Sequence, residues 1–262
     1  MDALDADAIR TMAGIEGLEV RVVARCGSTN TLLLADGAPG PVLLAAEIQT
    51  AGRGRHGRRW RSEPGAGATF SILRRMRCAP SALAGLTLAV GVAAARALRA
   101  LGAAEVALKW PNDLVATGRH AGAKLGGILV ESRQAGGEAV VVVGIGINCK
   151  SDPKLARRLR RPVLALDALV APPPGRNAVI AAVAREVLAA LEVFEREGLA
   201  PFRAEWRRLH AFEGARLRVR LAGGRTVSGL ASGIAANGAL RLATARGEHE
   251  IVSGRLVEVR AP

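Results

Sequence analysis

Apolar positions along the 262-residue chain follow two different grammars. Up to about residue 211 they come as unbroken runs or in steps of three and four, and beyond it they alternate one by one. "PVLLAAEIQT" (41–50) and "ATFSILRRM" (68–76) read as strands that enter and leave a Gly/Arg segment. After Pro80 and Ser81, the positions Leu83, Leu86, Val90, Ala94, Ala97 and Leu101 form one helix face that stops at Gly102. "EVALKWPNDLV" (105–115), "KLGGILVES" (124–132) and "AVVVVGIGINC" (139–149) are three apolar runs between Gly-bearing turns, which predicts a strand meander. A long helix from Asn177 to Gly198 places Val179, Val183, Val187, Leu191 and Phe194 on one face, with Asn177 as its N-cap candidate. "RLRVRL" then alternates strictly, and Gly223-Gly224 and Asn237-Gly238 are hairpin-turn pairs, which predicts a small β-barrel. The expectation is an α+β chain: a mixed β-sheet flanked by helices over residues 1–211 and a small barrel over 212–262.

Composition narrows the chemistry. Half the residues are apolar, which argues against disorder, but aromatics make up only 3% and Tyr is absent. The core must be aliphatic, and stacking platforms for single-stranded nucleic acid are not expected. The net charge of +14 is uneven, with +7 within residues 52–77, +5 within 150–161 and +4 within 212–262. Such a field suits acidic partners: nucleic acid, a nucleotide or an acidic protein. Cys26, Cys78 and Cys149 show no C-x-x-C spacing, so neither a disulfide framework nor a zinc site is indicated, and no metal site is assigned. "MDALDADAIR" does not read as a secretory signal, and no apolar run reaches membrane-spanning length. A cytoplasmic protein without membrane partners is expected.

The Gly/Arg segment "AGRGRHGRRWRSEPGAG" (51–67) sets five arginines and a histidine among five glycines. Glycine admits φ > 0 turns and close backbone approach, so backbone N–H groups and arginine forks can converge on a carboxylate or phosphate. A solvated basic loop is the plain alternative. Four motifs stand in order around it: "GSTN" (27–30), "GRGRHGRRW" (52–60), "KWPNDL" (109–114) with "KLGGILVE" (124–131), and "GIGIN" (144–148). The last lacks the third glycine and the following helix of a dinucleotide fingerprint. Together the motifs, over nearly the whole chain, resemble the biotin protein ligases.

The resemblance implies a class II synthetase-like catalytic domain with an SH3-like barrel, activation of biotin by MgATP to biotinyl-5′-AMP, and transfer to a lysine of a biotin carboxyl carrier protein. It implies biotin contacts from Ser28, Thr29, Asn30, Gln49, Gly52, Arg53, Gly54, Arg55, Trp60, Lys124, Gly126 and Gly127. It implies ATP contacts from Arg55, Arg58, Lys109, Trp110, Asn112, Lys124 and Asn148, with Asn148 at the adenine. Lys124, Arg55 and Asp113 carry the chemistry in that reading: the cations spread charge as two anions meet, and Asp113 orients the incoming lysine. Ser and Thr hydroxyls and a Gln amide can meet both the carbonyl and the N–H groups of a ureido ring. The same residues also cap helices, so "STN" carries both readings.

Two departures stand out. His56 sits where many relatives carry another arginine, and no helix-turn-helix is seen before "GSTN", so specific DNA binding is not expected. A homodimer stays open. The competing readings are a lipoate or octanoyl ligase of the same fold and a basic nucleic-acid-binding protein.

Overall fold

Strand β7 (Glu138–Asn148) shows how the sequence divides the molecule. Its odd positions Ala139, Val141, Val143, Ile145 and Ile147 enter the main core, while Val140 and Val142 join a smaller cluster on the other face. Successive strand side chains point to opposite faces, so the next even positions, Gly144, Gly146 and Asn148, continue that second face. The computed structural model describes residues 3–61, 63–152 and 162–260. The basic run bearing Arg157, Arg158, Arg160 and Arg161 lies outside the described residues.

β7 is the centre of a seven-stranded sheet made with β1 (Glu19–Cys26), β2 (Val42–Gln49), β3 (Gly67–Met76), β4 (Val106–Lys109), β5 (Asp113–Ala116) and β6 (Lys124–Ala135). The strand order is β1-β2-β3-β7-β6-β5-β4. Only β1 and β2 are parallel, joined across α2 (Thr29–Ala35), and the rest pair antiparallel. The apolar faces of α1 (Ala6–Ala13), α3 (Leu86–Ala100) and α4 (Arg176–Glu197) pack into the main core, and Leu33 of α2 caps the opposite face. The sheet is therefore covered on one side and only half covered on the other.

Three expectations need correction. "EVALKWPNDLV" is not one strand but the hairpin β4–β5, with Lys109 paired to Asp113 around a turn of Trp110, Pro111 and Asn112. Pro111 has no N–H and cannot continue a ladder, so the chain reverses there. The helix near 177 begins at Arg176, with Gly175 at its cap, and the Asn177 amide instead bonds Ala3 O at 3.0 Å and the Asp5 N–H at 3.2 Å. Leu83 belongs to a 3₁₀ turn over Pro80–Leu83 ahead of α3 rather than to the helix itself. α1 and β1 were not anticipated, although Asp5 caps α1 by accepting from the Ala8 N–H at 2.9 Å.

After α5 (Arg203–Leu209) comes the second unit: β8 (Arg216–Arg220), β9 (Thr226–Ile234), β10 (Leu240–Thr244), β11 (Gly247–Ile251) and β12 (Arg255–Arg260), in the order β11-β10-β9-β8-β12. Along β8, Leu217 and Val219 are buried while the arginines between them face out. β11 and β12 lie at opposite edges of this order, yet only residues 252–254 join them. In a flat sheet they would stand ~19 Å apart, further than four residue steps of ~3.5 Å can reach. The sheet must curl towards closure. Trp110 Nε1 donates to Gly238 O at 3.1 Å, which ties this unit to the β4–β5 turn.

Candidate active site

The half-covered face is built from two rows that cross the sheet. In the first, Thr69 of β3, Gly146 of β7, Gly127 of β6 and Asp113 of β5 are in register. In the second, Ser71, Gly144 and Leu129 are in register. Each row has a large side chain lying across its β7 glycine. A Cβ at Gly146 would overlap the Trp60 indole, and one at Gly144 would overlap the Asn30 amide. These two glycines are there to let side chains from other segments lie flat on the strand. Trp60 Nε1 then reaches Thr69 Oγ1 at 3.4 Å.

The end nearer α2 is neutral and tightly hydrogen-bonded. Ser28 caps α2, its hydroxyl accepting from the Thr31 N–H at 3.4 Å. The Thr29 N–H donates to Gln49 Oε1 at 2.7 Å, and Thr29 Oγ1 lies 2.6 Å from Ser71 Oγ. Ser71 donates to Asn30 Oδ1 at 2.6 Å. Asn30 Nδ2 donates to Glu131 Oε2 at 2.9 Å and to Leu129 O at 3.2 Å. Glu131 also receives Arg53 Nη2 on both oxygens, at 2.6 and 2.7 Å. Ser28, Thr29, Asn30 and Ser71 are all buried, so these bonds meet the need of polar groups withdrawn from water.

The other end is cationic. The Gly/Arg segment folds back on itself: Arg53 bridges Arg59, the Gly54 N–H donates to Arg58 O at 2.7 Å, and a 3₁₀ turn spans Arg55–Gly57 with His56 at φ 55°. Arg55 is half-buried, and desolvation lowers its pKa; Asp113 opposes that shift and Arg58 reinforces it. An anion placed there would relieve the cost of burying the charge. Lys124, whose backbone N–H donates to Pro162 O at 3.1 Å, forms a hydrogen-bonded ion pair with Asp113. Lys109 Nζ sits 5.8 Å from the centre of the Phe212 ring. Arg220 and Arg255 of the second unit complete the wall.

Both ends open into one cavity of about 500 Å³. Ser28, Thr29, Asn30, Gln49, Arg53, Gly54, Arg55, Arg58, Trp60, Lys109, Trp110, Asn112, Asp113, Lys124 and Gly127 line it. Gly52, Gly126 and Asn148 do not. A Cβ on Gly126 would meet Gly146 O at 2.6 Å, so that residue serves close strand packing, and Gly52 packs beneath Trp60 O in the same way. Asn148 donates through Nδ2 to Leu164 O at 3.0 Å and Lys124 O at 3.4 Å, supporting the strand that carries Lys124. Sequence reasoning missed Ser71, Thr69, Glu131, Arg220 and Arg255. The first three share a sheet face with Gly127 and Gly146, a relation that the register of β3, β7 and β6 supplies. Among the described residues no cluster of three or more His, Cys, Asp or Glu side chains could hold a metal ion.

Residues 22–148 match the model of the biotin/lipoate A/B protein ligase family, and residues 214–255 match the biotin protein ligase C terminal domain. The chain is 37% identical to the bifunctional ligase/repressor BirA of Escherichia coli over 90% of its own length and 73% of that protein's. It is 36% identical to the biotin--[acetyl-CoA-carboxylase] ligase of Mycobacterium tuberculosis, covering 95% of this chain and 92% of the relative. The solved biotin protein ligase of Aquifex aeolicus, in complex with biotin and ATP, superposes with a TM-score of 0.76 at 25% identity, over 93% of this chain and 99% of that one.

Proposed function

The chain belongs to the biotin protein ligases, and we infer from that membership and from its pocket that it activates biotin with ATP and transfers the biotinyl group to a protein lysine. The observation that carries this reading is the single cavity with a neutral, hydrogen-bonded end and a cationic end that meet at Lys124 and Asp113. Biotin has the same division, a ureido ring at one end and a carboxylate at the other.

In the first step a biotin carboxylate oxygen bonds to the α-phosphorus of ATP, the bond to the β-phosphate oxygen breaks, and pyrophosphate leaves. Two anions must approach, so the barrier holds their repulsion as well as the entropy of alignment. Arg55 and Lys124 spread that charge, with Arg58 beside them and Arg220 and Arg255 facing the polyphosphate from the second unit. Lys124 must exchange Asp113 for the phosphate to do so. The exchange releases the Asp113 carboxylate for the second step, in which a lysine amine attacks the acyl carbon, AMP departs and Asp113 takes the amine proton. Mg²⁺ usually keeps several waters and takes one or two carboxylates plus substrate phosphates, and Asp113, the one acidic side chain on the described wall, fits that need. When bound it would help neutralise the phosphates.

The acceptor in this reading is an acidic carrier domain of a biotin-dependent carboxylase, met in the cytoplasm. Residues 1–211 form the catalytic unit, and 212–262 form a small barrel that closes the ATP end. The test is to incubate the protein with biotin, MgATP and a carrier domain, measuring pyrophosphate release and the carrier's mass. Biotin-dependent release with one biotinyl group added to one lysine is expected. Equal use of lipoate or octanoate in place of biotin would overturn the substrate assignment.

A further inference from the structure

The neutral end of the cavity contains a chain of hydrogen bonds whose proton positions can be worked out one after another. The starting point is Glu131, which with Leu129 O offers Asn30 only acceptors. The Asn30 amide is thereby fixed with Nδ2 towards them and Oδ1 towards Ser71. An amide oxygen only accepts, so Ser71 must spend its one proton on Asn30. Thr29 Oγ1, 2.6 Å from Ser71 Oγ, must then be the donor in that contact. The neighbouring Gln49 Oε1, at 3.1 Å, cannot take the proton without leaving Thr29 and Ser71 with none between them. Gln49 is fixed independently, because its Oε1 accepts the Thr29 N–H and its Nε2 must point elsewhere.

We propose that Glu131, Asn30 and Ser71 act as positioning residues that set the polarity of this wall, so that Thr29 Oγ1 meets a ligand only as an acceptor while Gln49 Nε2 and the Ser28 hydroxyl meet it as donors. Two donors beside one acceptor match a cyclic urea, whose carbonyl accepts twice and whose N–H donates. The proposal rests on the biotin reading of this pocket and deepens it. Asn30, with all its amide groups engaged inside the protein, holds the wall and does not touch the substrate. Glu131 also ties the wall to the Gly/Arg segment through Arg53, so the two ends of the site share an anchor. An acyl acid without a ureido ring would leave this fixed set of polar groups unpaired, and such sites reject the lacking analogue strongly.

The test is a double-mutant cycle on biotin binding by calorimetry, with Ser71→Ala and Thr29→Val, beside steady-state kinetics. Ser71→Ala should weaken biotin about five- to tenfold, the usual worth of a hydrogen bond, with the loss in KM for biotin far more than in kcat. In the Thr29→Val background the same change should cost less than about twofold, because Ser71 acts through Thr29. Glu131→Gln keeps an acceptor towards Asn30 and should stay within about threefold of wild type, whereas Glu131→Leu should lose about tenfold or more. Equal losses from Ser71→Ala in both backgrounds, or Glu131→Gln as damaging as Glu131→Leu, would overturn the proposal. Either result in a protein that still releases pyrophosphate on adding biotin sinks the polarity argument alone. A wild-type protein without biotin-dependent release overturns the reading of the pocket and this proposal with it.

Discussion

The two ends of the cavity solve opposite problems. At the α2 end the side chains of Gln49, Thr29, Ser71, Asn30 and Glu131 are already tied to protein partners, and a ligand meets groups whose orientation is fixed. At the other end the described wall sets Arg55, Arg58, Lys109, Lys124, Arg220 and Arg255 against one acid, Asp113, and burial already disfavours the Arg55 charge. Hydrogen bonds between neutral groups can be completed without the substrate and gain specificity from being fixed. Cations outnumber acids on the described lining, and anionic reactants bring the opposite charge to it. Recognition is thus built in advance at one end, and catalysis waits for its charges at the other.

The largest expected effect breaks the charged end alone. Lys124→Ala and Arg55→Ala should each slow adenylation by about 10²–10³, measured as pyrophosphate release at saturating biotin, since each removes a group that meets charge in the transition state. Biotin affinity without ATP should fall much less than the rate. A loss of biotin affinity as large as the loss of rate would erase the division between the ends.

The next effect uses one substitution in both halves of the same cross-strand row. Gly146→Ala drives a methyl into the Trp60 indole, a rigid group, and should destabilise the protein by about 1–3 kcal/mol as seen by thermal melting, with biotin affinity reduced. Gly127→Ala meets Lys124 Nζ at 3.2 Å, the end of a flexible side chain, and should melt close to wild type while slowing adenylation. A reversal of the two melting shifts would show that the indole is not what requires a glycine at position 146.

A smaller change separates the contribution of the second unit. Arg220→Gln and Arg255→Gln each remove a cation from the wall facing the polyphosphate and should raise KM for ATP about three- to tenfold, the range for a charge-assisted hydrogen bond partly screened by water. KM for biotin is the control. An unchanged KM for ATP in both variants would detach the second unit from the nucleotide.

Much of this was legible in the chain. The four motifs converge on one cavity, and most residues picked from them line it, because a motif's spacing is the spacing of strand ends and turns around a site. Asn148 and Gly126 lie in the motifs but outside the cavity lining, where Asn148 bonds carbonyls and Gly126 admits a neighbouring strand's carbonyl. Glu131 and Ser71 could not be picked by residue type, since a Glu and a Ser in apolar strands look like solvent-facing positions. Only the register across β3, β7 and β6 reveals that they face Asn30. Arg220 and Arg255 lie more than ninety residues beyond Lys124 and reach the cavity only because the second unit folds back over the β4–β5 turn.

The smallest effect expected is also the one that tests the positive field outside the cavity. The two half-reactions see charge differently: adenylation happens between fixed side chains within a pocket, whereas transfer needs a second protein to find the rim. Salt at ~0.15 M reduces the reach of exposed charges to about 8 Å, so interactions across the rim should weaken while those at Lys124 and Arg55 persist. Rim charges chiefly accelerate encounter, and an acidic carrier should therefore be biotinylated several-fold more slowly per unit concentration at physiological salt than at low salt. Pyrophosphate release without carrier should change less than twofold over the same range. Parallel declines would mean that salt acts on the pocket itself, and tight sequence-specific DNA binding by the same protein would assign the field to nucleic acid instead. Equal rates at both salt concentrations would leave docking to shape and short-range contacts, and the contrast between a wired end and a charged end would then stop at the mouth of the cavity.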